Sequence, residues 1–311
     1  MSINHALVLS GGSIKGAFQA GAIKILLEKG FKPEFISGIS VGSLNGAFLC
    51  SEAGRQKQLP AAVDWPSVGK RLCDFWTANA TKPADLVDKR PIPAIAWHAF
   101  FNTFDGLVDT APLKKLINTN LSVANIRASG IDLRVGALNI VSGKLTYFDD
   151  SDAMFLERVL ASAAIPIIMP AVKFGDERFV DGGVKEIAPL KPAIKSGANR
   201  IAIIACQASR SVELPINVGN LVHMIERTID LMTDEIVNND IEWAQYIDEL
   251  VPESGADPNS PLAGYRKLKP IVIRPDEPLP FDIRSFTAGD IAAIMAAGEE
   301  AAKKALNDNP I

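Results

Sequence analysis

Ser40 lies in a short pattern, G-I-S-V-G over residues 38–42, whose residue types and spacing suit a nucleophilic serine. Residues 33–39 are apolar enough for a short buried strand, and residues 43–50 suit the beginning of a helix. A serine between two glycines at such a junction matches the nucleophile elbow, a tight turn that exposes the hydroxyl. The flanking glycines matter because a Cβ there would collide with the neighbouring strand or helix. By itself the pattern also fits an ordinary strand-to-helix turn without chemistry.

A glycine-rich loop over residues 11–16 (GGSIKG) precedes helical periodicity in residues 17–29. Neither G-x-G-x-x-G nor the P-loop pattern fits it, which disfavours a phosphate cradle. Consecutive Gly11 and Gly12 instead permit a turn that presents unpaired N–H groups to an oxyanion. Lys15 suits a hydrogen bond that holds the loop or the helix end, and it equally suits an ordinary solvated lysine.

A serine hydroxyl needs a group that removes its proton, and histidine is the usual base. His5 belongs to the amino end of the first predicted strand, His98 lies among aromatic residues, and His223 lies in a helical stretch without a turn motif. These positions are more typical of surface or packing histidines than of a base. Asp181 is a better candidate base, because it follows an apolar strand and precedes two glycines, a setting that holds a side chain rigidly. An aspartate that is hydrogen-bonded directly to the serine can act as the base without a histidine. The alternative for the D-G-G pattern is a hairpin exit turn.

The elements that must position these groups begin with strand and helix in alternation. Residues 5–30 indicate a strand, the glycine loop and a helix, and residues 33–53 repeat this plan. The order implies parallel strands with right-handed crossovers, so both loops emerge at the carboxyl ends of neighbouring strands. Alternating patterns predict hairpins over residues 131–148 and 171–180, and the second leads directly to the aspartate.

The remaining elements complete one predicted domain over residues 1–311, without an internal repeat or a linker. A helix is predicted over residues 152–164, a last strand over residues 269–273 and a terminal helix over residues 285–306. Residues 206–311 are expected to add helices, this strand and the terminal helix to the same domain.

Composition narrows the class of protein. The chain of 311 residues is 48% hydrophobic and 22% charged, which is ample for a packed core, and its net charge of −4 argues against a nucleic-acid partner. No basic amino-terminal region or apolar run of 18 residues is present, so we expect a soluble, cytoplasmic protein. The three cysteines, which are scattered in apolar contexts and indicate reduced core thiols, are Cys50, Cys73 and Cys206.

Three stretches together resemble the blocks of the patatin-like phospholipases: residues 9–16 (LSGGSIKG), 38–46 (GISVGSLNG) and 181–183 (DGG). Residues 161–166 (ASAAIP) resemble the bacterial members as well. The resemblance covers roughly residues 5–205, and three motifs in the right order are far more specific than one.

The resemblance implies a three-layer α/β/α fold with a mostly parallel central sheet. It implies Ser40 as nucleophile and Asp181 as its partner in a Ser-Asp dyad, with no metal and no organic cofactor. The family often has a third glycine where this chain has Ser13, which restricts φ in the loop. The implied oxyanion hole comprises Gly11, Gly12 and Ser13, and the implied supporting residues are Lys15, Gly16, Gly38, Gly42, Gly182 and Gly183.

The implied reaction is hydrolysis of a carboxylic ester in a phospholipid, a lysophospholipid or a similar lipid, with peripheral membrane contact. An acyltransferase with the same dyad and a non-catalytic lipid- or acyl-binding protein of the same fold remain alternatives. A Ser-His-Asp esterase is disfavoured, because no histidine follows His223. The aromatic-rich residues 92–104 suit either a lid over an acyl groove or ordinary core.

Overall fold

The computed structural model describes residues 4–91, 93, 105–198, 200–210, 212–213, 218–219, 221–279 and 284–311, with only the backbone for residues 221–223 and 226. Apart from Pro93, the aromatic-rich segment 92–104 lies outside the described residues. Whether that segment forms a lid or part of the core therefore stays a prediction.

The chain forms short strands and mostly longer helices. The strands are β1 (His5–Leu9), β2 (Phe35–Ile39), β3 (Asp88–Lys89), β4 (Val108–Asp109), β5 (Asp132–Asn139), β6 (Lys144–Phe148), β7 (Val172–Phe174), β8 (Glu177–Asp181), β9 (Arg200–Ile204) and β10 (Ile271–Ile273). The α-helices of the described residues are α1 (Gly16–Glu28), α2 (Val41–Lys57), α3 (Trp65–Asn79), α4 (Ala111–Asn120), α5 (Val123–Ser129), α6 (Phe155–Ser162), α7 (Leu190–Lys195), α8 (Leu221–Leu250) and α9 (Ala288–Asp308).

Within the described residues, eight strands form one sheet in the order β10-β9-β1-β2-β5-β8-β7, and β6 also pairs with β5. The five strands from β10 to β5 are parallel, whereas β6, β7 and β8 pair antiparallel with their neighbours. The expected fold class is confirmed, as are the two initial strand-helix units and both hairpins. The pairings between β1, β2 and β5 are parallel because each crossover between these strands contains helix.

Helices cover both faces of this sheet. Leu7 and Leu9 of β1 belong to a core that includes α1, α2, α3 and α9, whereas Ala6 and Val8 belong to a second core with α7 and α8. Successive side chains of a strand point to opposite faces, so the two cores lie on opposite sides of the sheet. The predicted three-layer arrangement follows from this alternation.

The strand pairing of β5 decides where the chemistry-bearing residues meet. Residues 132–136 of β5 pair with β2, residues 135–139 pair with β6, and residues 137–139 pair with β8. Because a strand has only two edges and β6 overlaps both of the others, β2 and β8 must occupy the same edge of β5. The carboxyl end of β2 and the carboxyl end of β8 therefore meet at that edge.

Helix α6 is shorter than the predicted helix over residues 152–164. The Asp152 carboxylate accepts the N–H of Met154 at 2.8 Å and the Nε of Arg158 at 2.9 Å, which holds the chain before Phe155 in a turn. Eight of the 13 residues in the predicted span are thus helical, and the helix ends at Ser162, four residues before Pro166.

Candidate active site

Ser40 occupies the one-residue junction between β2 and α2. Its backbone has φ 56° and ψ −128°, a conformation that is sparsely populated for a residue with a Cβ. The glycines around it are sterically required. A Cβ on Gly38 would lie 2.6 Å from the backbone of Gly42, and a Cβ on Gly42 would lie 2.2 Å from the carbonyl oxygen of Leu9. The local sequence thus produces a strained turn with the serine at its tip, only 5% exposed.

Asp181 ends β8 beside this turn and is 6% exposed. Burial raises the pKa of its carboxyl to about 6, and hydrogen bonds from the Ser40 side chain and the Gly183 N–H oppose the rise. The Gly183 N–H lies 2.7 Å from Oδ1 of Asp181. A carboxylate with this pKa is a stronger base than an ordinary aspartate and is still mostly ionised at neutral pH.

The two glycines after the aspartate keep its surroundings tight. A Cβ on Gly182 would lie 2.8 Å from the carbonyl oxygen of Gly136 in β5, and a Cβ on Gly183 would lie 3.0 Å from Oδ1 of Asp181. Either side chain would displace the carboxylate or the strand that supports it. The sequence pattern D-G-G therefore has a steric reason at this position.

Gly11 brings the glycine loop against the nucleophile, because a Cβ on Gly11 would lie 3.2 Å from the Cβ of Ser40. The Gly11 N–H donates to the carbonyl oxygen of Ile187 at 3.1 Å. Its own carbonyl accepts the Ser10 hydroxyl at 2.8 Å and the Gln207 side-chain amide at 3.1 Å. Both peptide groups that flank the Cα of Gly11 are therefore held by hydrogen bonds, and the Gly11 N–H already has an acceptor.

The backbone N–H groups of Gly12 and Ser13 differ from that of Gly11 in their hydrogen bonding. Within the described part of the chain, no acceptor is found for the N–H of Gly12 or of Ser13. Gly12 has no room for a side chain, since a Cβ there would lie 2.3 Å from the Cβ of Cys206. Ser13 adopts φ 53°, so the serine takes the left-handed conformation that a glycine would adopt without strain, at a cost of roughly 1 kcal/mol.

The family model for the patatin-like phospholipases matches residues 7–194, a span that contains the serine, the aspartate and the glycine loop. The chain belongs to this family. It is 27% identical over 246 residues to the uncharacterised protein YqhO of Bacillus subtilis, a match that covers 73% of this chain and 79% of YqhO. It is 26% identical over 193 residues to the probable lipid hydrolase 463L of Invertebrate iridescent virus 6, covering 61% and 63% of the two chains.

A shorter match joins this patatin-like chain to the neuropathy target esterase sws of Drosophila melanogaster, at 37% identity over 59 residues. That match covers 19% of this chain and 4% of the insect protein. Family membership and the lipid hydrolase relative support lipid hydrolysis as the general class of activity. None of the described helices has the length and hydropathy needed to cross a membrane.

Lys15 of this patatin-like chain closes the glycine loop through its backbone, whose N–H donates to the Gly12 carbonyl at 3.0 Å. The charge of Lys15 acts on Asp234 of α8. Burial raises the pKa of Asp234, and the positive charge of Lys15 opposes the rise. Gly16 follows at the beginning of α1, where a Cβ would lie 2.1 Å from Cγ2 of Val41. The absence of a side chain at Gly16 therefore lets the end of the loop pack closely against α2.

Asn45 has a positioning role that the sequence reasoning missed. It is fully buried in α2, and its amide donates to the Gly16 carbonyl at 3.0 Å and to Oε1 of Gln19 at 2.9 Å. Its oxygen accepts the indole N–H of Trp76 at 2.9 Å. The helix after the nucleophile is thereby tied to the glycine loop and to α3. A polar residue inside the apolar stretch 43–50 was the available signal.

The histidines and cysteines provide little further chemistry in the described structure. His5 stacks on Phe31 with ring centroids 4.5 Å apart, at the amino end of β1 and therefore at the opposite edge of the parallel sheet from Ser40. His98 and the side chain of His223 lie outside the part of the chain that the structure describes. The three cysteines are free thiols, and burial raises the pKa of Cys206 to about 12.

Proposed function

We propose that this protein is a serine lipid acyl hydrolase of the phospholipase A or lysophospholipase type. Ser40 forms the acyl-enzyme and Asp181 is its base. The observation that carries the proposal is a strained, almost buried serine beside an aspartate whose pKa is raised to about 6 by burial. The family and two relatives, a probable lipid hydrolase and a neuropathy target esterase, support a lipid ester as substrate.

The first half-reaction acylates the serine. Asp181 takes the hydroxyl proton as Oγ of Ser40 attacks the ester carbonyl carbon, and a tetrahedral oxyanion forms. The carbon–oxygen bond to the alcohol then breaks, and the alcohol leaves with the proton held by Asp181. In the second half-reaction Asp181 takes a proton from water, whose oxygen attacks the acyl carbonyl. Ser40 leaves, recovers the proton and releases a free fatty acid.

The oxyanion requires donors, and Gly12 and Ser13 are the best candidates in the loop. The carbonyl of Gly11 is bound to Ser10 and Gln207, so the Gly12 N–H lies on the opposite side of that planar peptide. Val41, the first residue of α2, adds a further N–H at the positive end of the helix. Gly11 contributes the close approach to Ser40. In hydrolases of this kind, one such donor changes kcat by roughly 10²–10³-fold.

A fluorophosphonate probe tests the proposal directly, because it phosphonylates an activated serine. We expect labelling of wild type at Ser40, located by mass spectrometry, and none in Ser40→Ala. Asp181→Asn should be labelled far more slowly. Hydrolysis of phospholipids, lysophospholipids and short-chain esters should fall with the labelling, while circular dichroism stays native. Undiminished hydrolysis in Ser40→Ala would overturn the proposal.

Product analysis then separates hydrolysis from transfer. With a radiolabelled acyl chain, the proposed hydrolase releases free fatty acid as its main product in water. Label that moves instead to an added alcohol or lysolipid, with little free acid, would assign the same dyad to an acyltransferase.

A further inference from the structure

The stretch 161–166 resembles the bacterial family members, yet neither the nucleophile, the base nor the oxyanion loop accounts for it. In the structure this stretch contains the end of α6 and the turn that follows it. Ser162 is the last residue of the helix and is completely buried. A buried hydroxyl so close to the dyad therefore needs an explanation from its contacts.

The Ser162 hydroxyl contacts three groups around the elbow. It donates to the carbonyl oxygen of Gly136 at 2.6 Å and accepts the backbone N–H of Ser40 at 3.0 Å. Its oxygen also lies 2.8 Å from the hydroxyl of Ser43, which is itself 2.8 Å from the carbonyl oxygen of Gly38. Because Ser162 has one proton, which its shortest bond directs to Gly136, a lone pair of its oxygen remains to accept the N–H of Ser40.

The hydrogen bond to Ser162 gives the backbone N–H of Ser40 an acceptor that the turn itself does not provide. Ser40 stands before the first residue of α2 with a positive φ, so no carbonyl of that helix can accept its N–H. A buried N–H without an acceptor is unfavourable, and the strained turn would relax to find one. Ser162 supplies that acceptor from a neighbouring helix.

The same stretch also holds the base. The backbone N–H of Asp181 donates to the carbonyl oxygen of Ala164 at 2.8 Å, two residues after Ser162. Two residues of this stretch, Ser162 and Ala164, thus accept the backbone N–H groups of Ser40 and Asp181. The Gly136 carbonyl fixes the position of this stretch against β5, between the ends of β2 and β8.

We propose that Ser162 is a positioning residue, whose hydroxyl holds the backbone of Ser40 at the distance from Asp181 that proton transfer requires. The role rests on the proposed function of the dyad. Ser162 touches no reacting atom, and it acts through the N–H of the nucleophile. A small displacement of a reacting group costs up to about 10²-fold in rate, which sets the size of the expected effect.

Ser162→Ala tests the role, and Ser129→Ala is its matched control. Ser129 is the last residue of the short helix α5 and is also buried. Its hydroxyl donates to the carbonyl oxygen of Ile126 at 2.6 Å and accepts the N–H of Ile131 at 3.1 Å, away from the dyad. We expect Ser162→Ala to lower kcat about 10- to 10²-fold with little change in KM. Ser129→Ala should keep kcat within about twofold, with a comparable loss of melting temperature.

The pH dependence of kcat/KM gives a readout that lost packing would not change. The hydrogen bond from the Ser40 side chain lowers the pKa of Asp181, so a displaced Ser40 lets that pKa rise. The acid limb of the profile should move to higher pH in Ser162→Ala and stay in place in Ser129→Ala. If Ser162→Ala does not fold, Ser162→Cys replaces it. Sulfur is a weaker acceptor, so a smaller change in the same direction is expected.

The outcomes separate this role from the function on which it rests. Inactive Ser40→Ala and Asp181→Asn together with wild-type kcat and an unmoved acid limb in the Ser162 variant would overturn the positioning role alone. An equal loss of kcat in Ser129→Ala would overturn it as well. Full activity in Ser40→Ala would overturn both proposals.

Discussion

Two carboxylates in this protein have almost the same small solvent exposure and opposite pKa shifts. Glu52 of α2 is 5% exposed. Burial by itself raises the pKa of Glu52, but hydrogen bonds from Arg55 and Gln56 and the charge of Arg71 outweigh it, so the pKa is lowered. The Arg55 guanidinium lies 2.7 Å from Oε1, and Nε of Arg71 lies 2.9 Å from the same oxygen. This carboxylate is a structural anchor.

Asp181 is 6% exposed, and the groups that donate to its carboxylate are a hydroxyl and a backbone N–H, both neutral. Burial therefore dominates and raises the pKa to about 6. The comparison teaches that low solvent exposure alone does not decide the role of a carboxylate, because the groups that donate to it also shift its pKa. Cationic partners keep Glu52 ionised and inert, whereas neutral partners leave Asp181 able to take a proton.

The largest expected difference between the two sites is in activity. Asp181→Asn should lower kcat on the order of 10⁴-fold, because the amide has nearly the same shape and cannot accept the proton. Glu52→Gln, the same chemical change at the anchor, should leave kcat within about twofold. Steady-state hydrolysis of a short-chain ester measures both. A comparable loss in the two variants would remove the distinction.

The next largest effect on kcat is expected from adding a Cβ to a closely packed glycine near each of the two carboxylates. Gly12→Ala should lower kcat about 10²-fold, because the added Cβ would lie 2.3 Å from that of Cys206 and displaces the loop donors. Gly54→Ala is the control beside Glu52, where a Cβ would lie 1.7 Å from the carbonyl oxygen of Asn125. It should lower the melting temperature and keep kcat per active site, counted by fluorophosphonate titration. Normal kcat in Gly12→Ala, with native circular dichroism, would place the oxyanion hole elsewhere.

Replacing each carboxylate by its amide should change the stability of the fold in opposite directions. The folded pKa of Asp181, about 6, exceeds the unfolded value of about 3.9, so the folded state binds the proton more tightly. Its contribution to stability is therefore lost as the pH rises from about 4 to 6, and Asp181→Asn should stabilise the fold at pH 7.5 by about 2 kcal/mol.

Glu52 has the opposite linkage. Its folded pKa is lowered, so its contribution is present above the unfolded value of about 4.3 and is lost as the pH falls below it. Glu52→Gln leaves Arg55 and Arg71 without their carboxylate and should destabilise the fold at pH 7.5 by about 2 kcal/mol. Urea unfolding of both variants at pH 7.5 measures the two signs. Destabilisation by Asp181→Asn would contradict the raised pKa.

The smallest effect is the pH dependence of the rate itself. Since the base must be ionised, kcat/KM should fall about tenfold per pH unit below an apparent pKa near 6. Glu52→Gln should leave this acid limb in place, because Glu52 does not take part in proton transfer. An acid limb near pH 4, the value for an exposed aspartate, would mean that the base is not buried.

Much of the fold was predictable because its signals are local. Apolar runs followed by glycine turns and helical periodicity identified the two initial strand-helix units, and the alternation around residues 131–148 and 171–180 identified the hairpins. The prediction for α6 was wrong at the amino end of the helix, because the Asp152 side chain holds the residues before Phe155 in a turn. Such a bond competes with the helix and has no periodicity by which to detect it.

The sequence by itself determined the fold class, the family and the residues proposed for the chemistry. Glycines at 38 and 42 and after Asp181 are readable from the sequence because their lack of a Cβ is a local property. Only the tertiary structure decided how these residues meet. The shared edge of β5 brings the end of β2 to that of β8, and burial without a cationic partner raises the pKa of Asp181. The acceptor for the N–H of Ser40 comes from Ser162, 122 residues away in the chain, and no local pattern encodes such a contact.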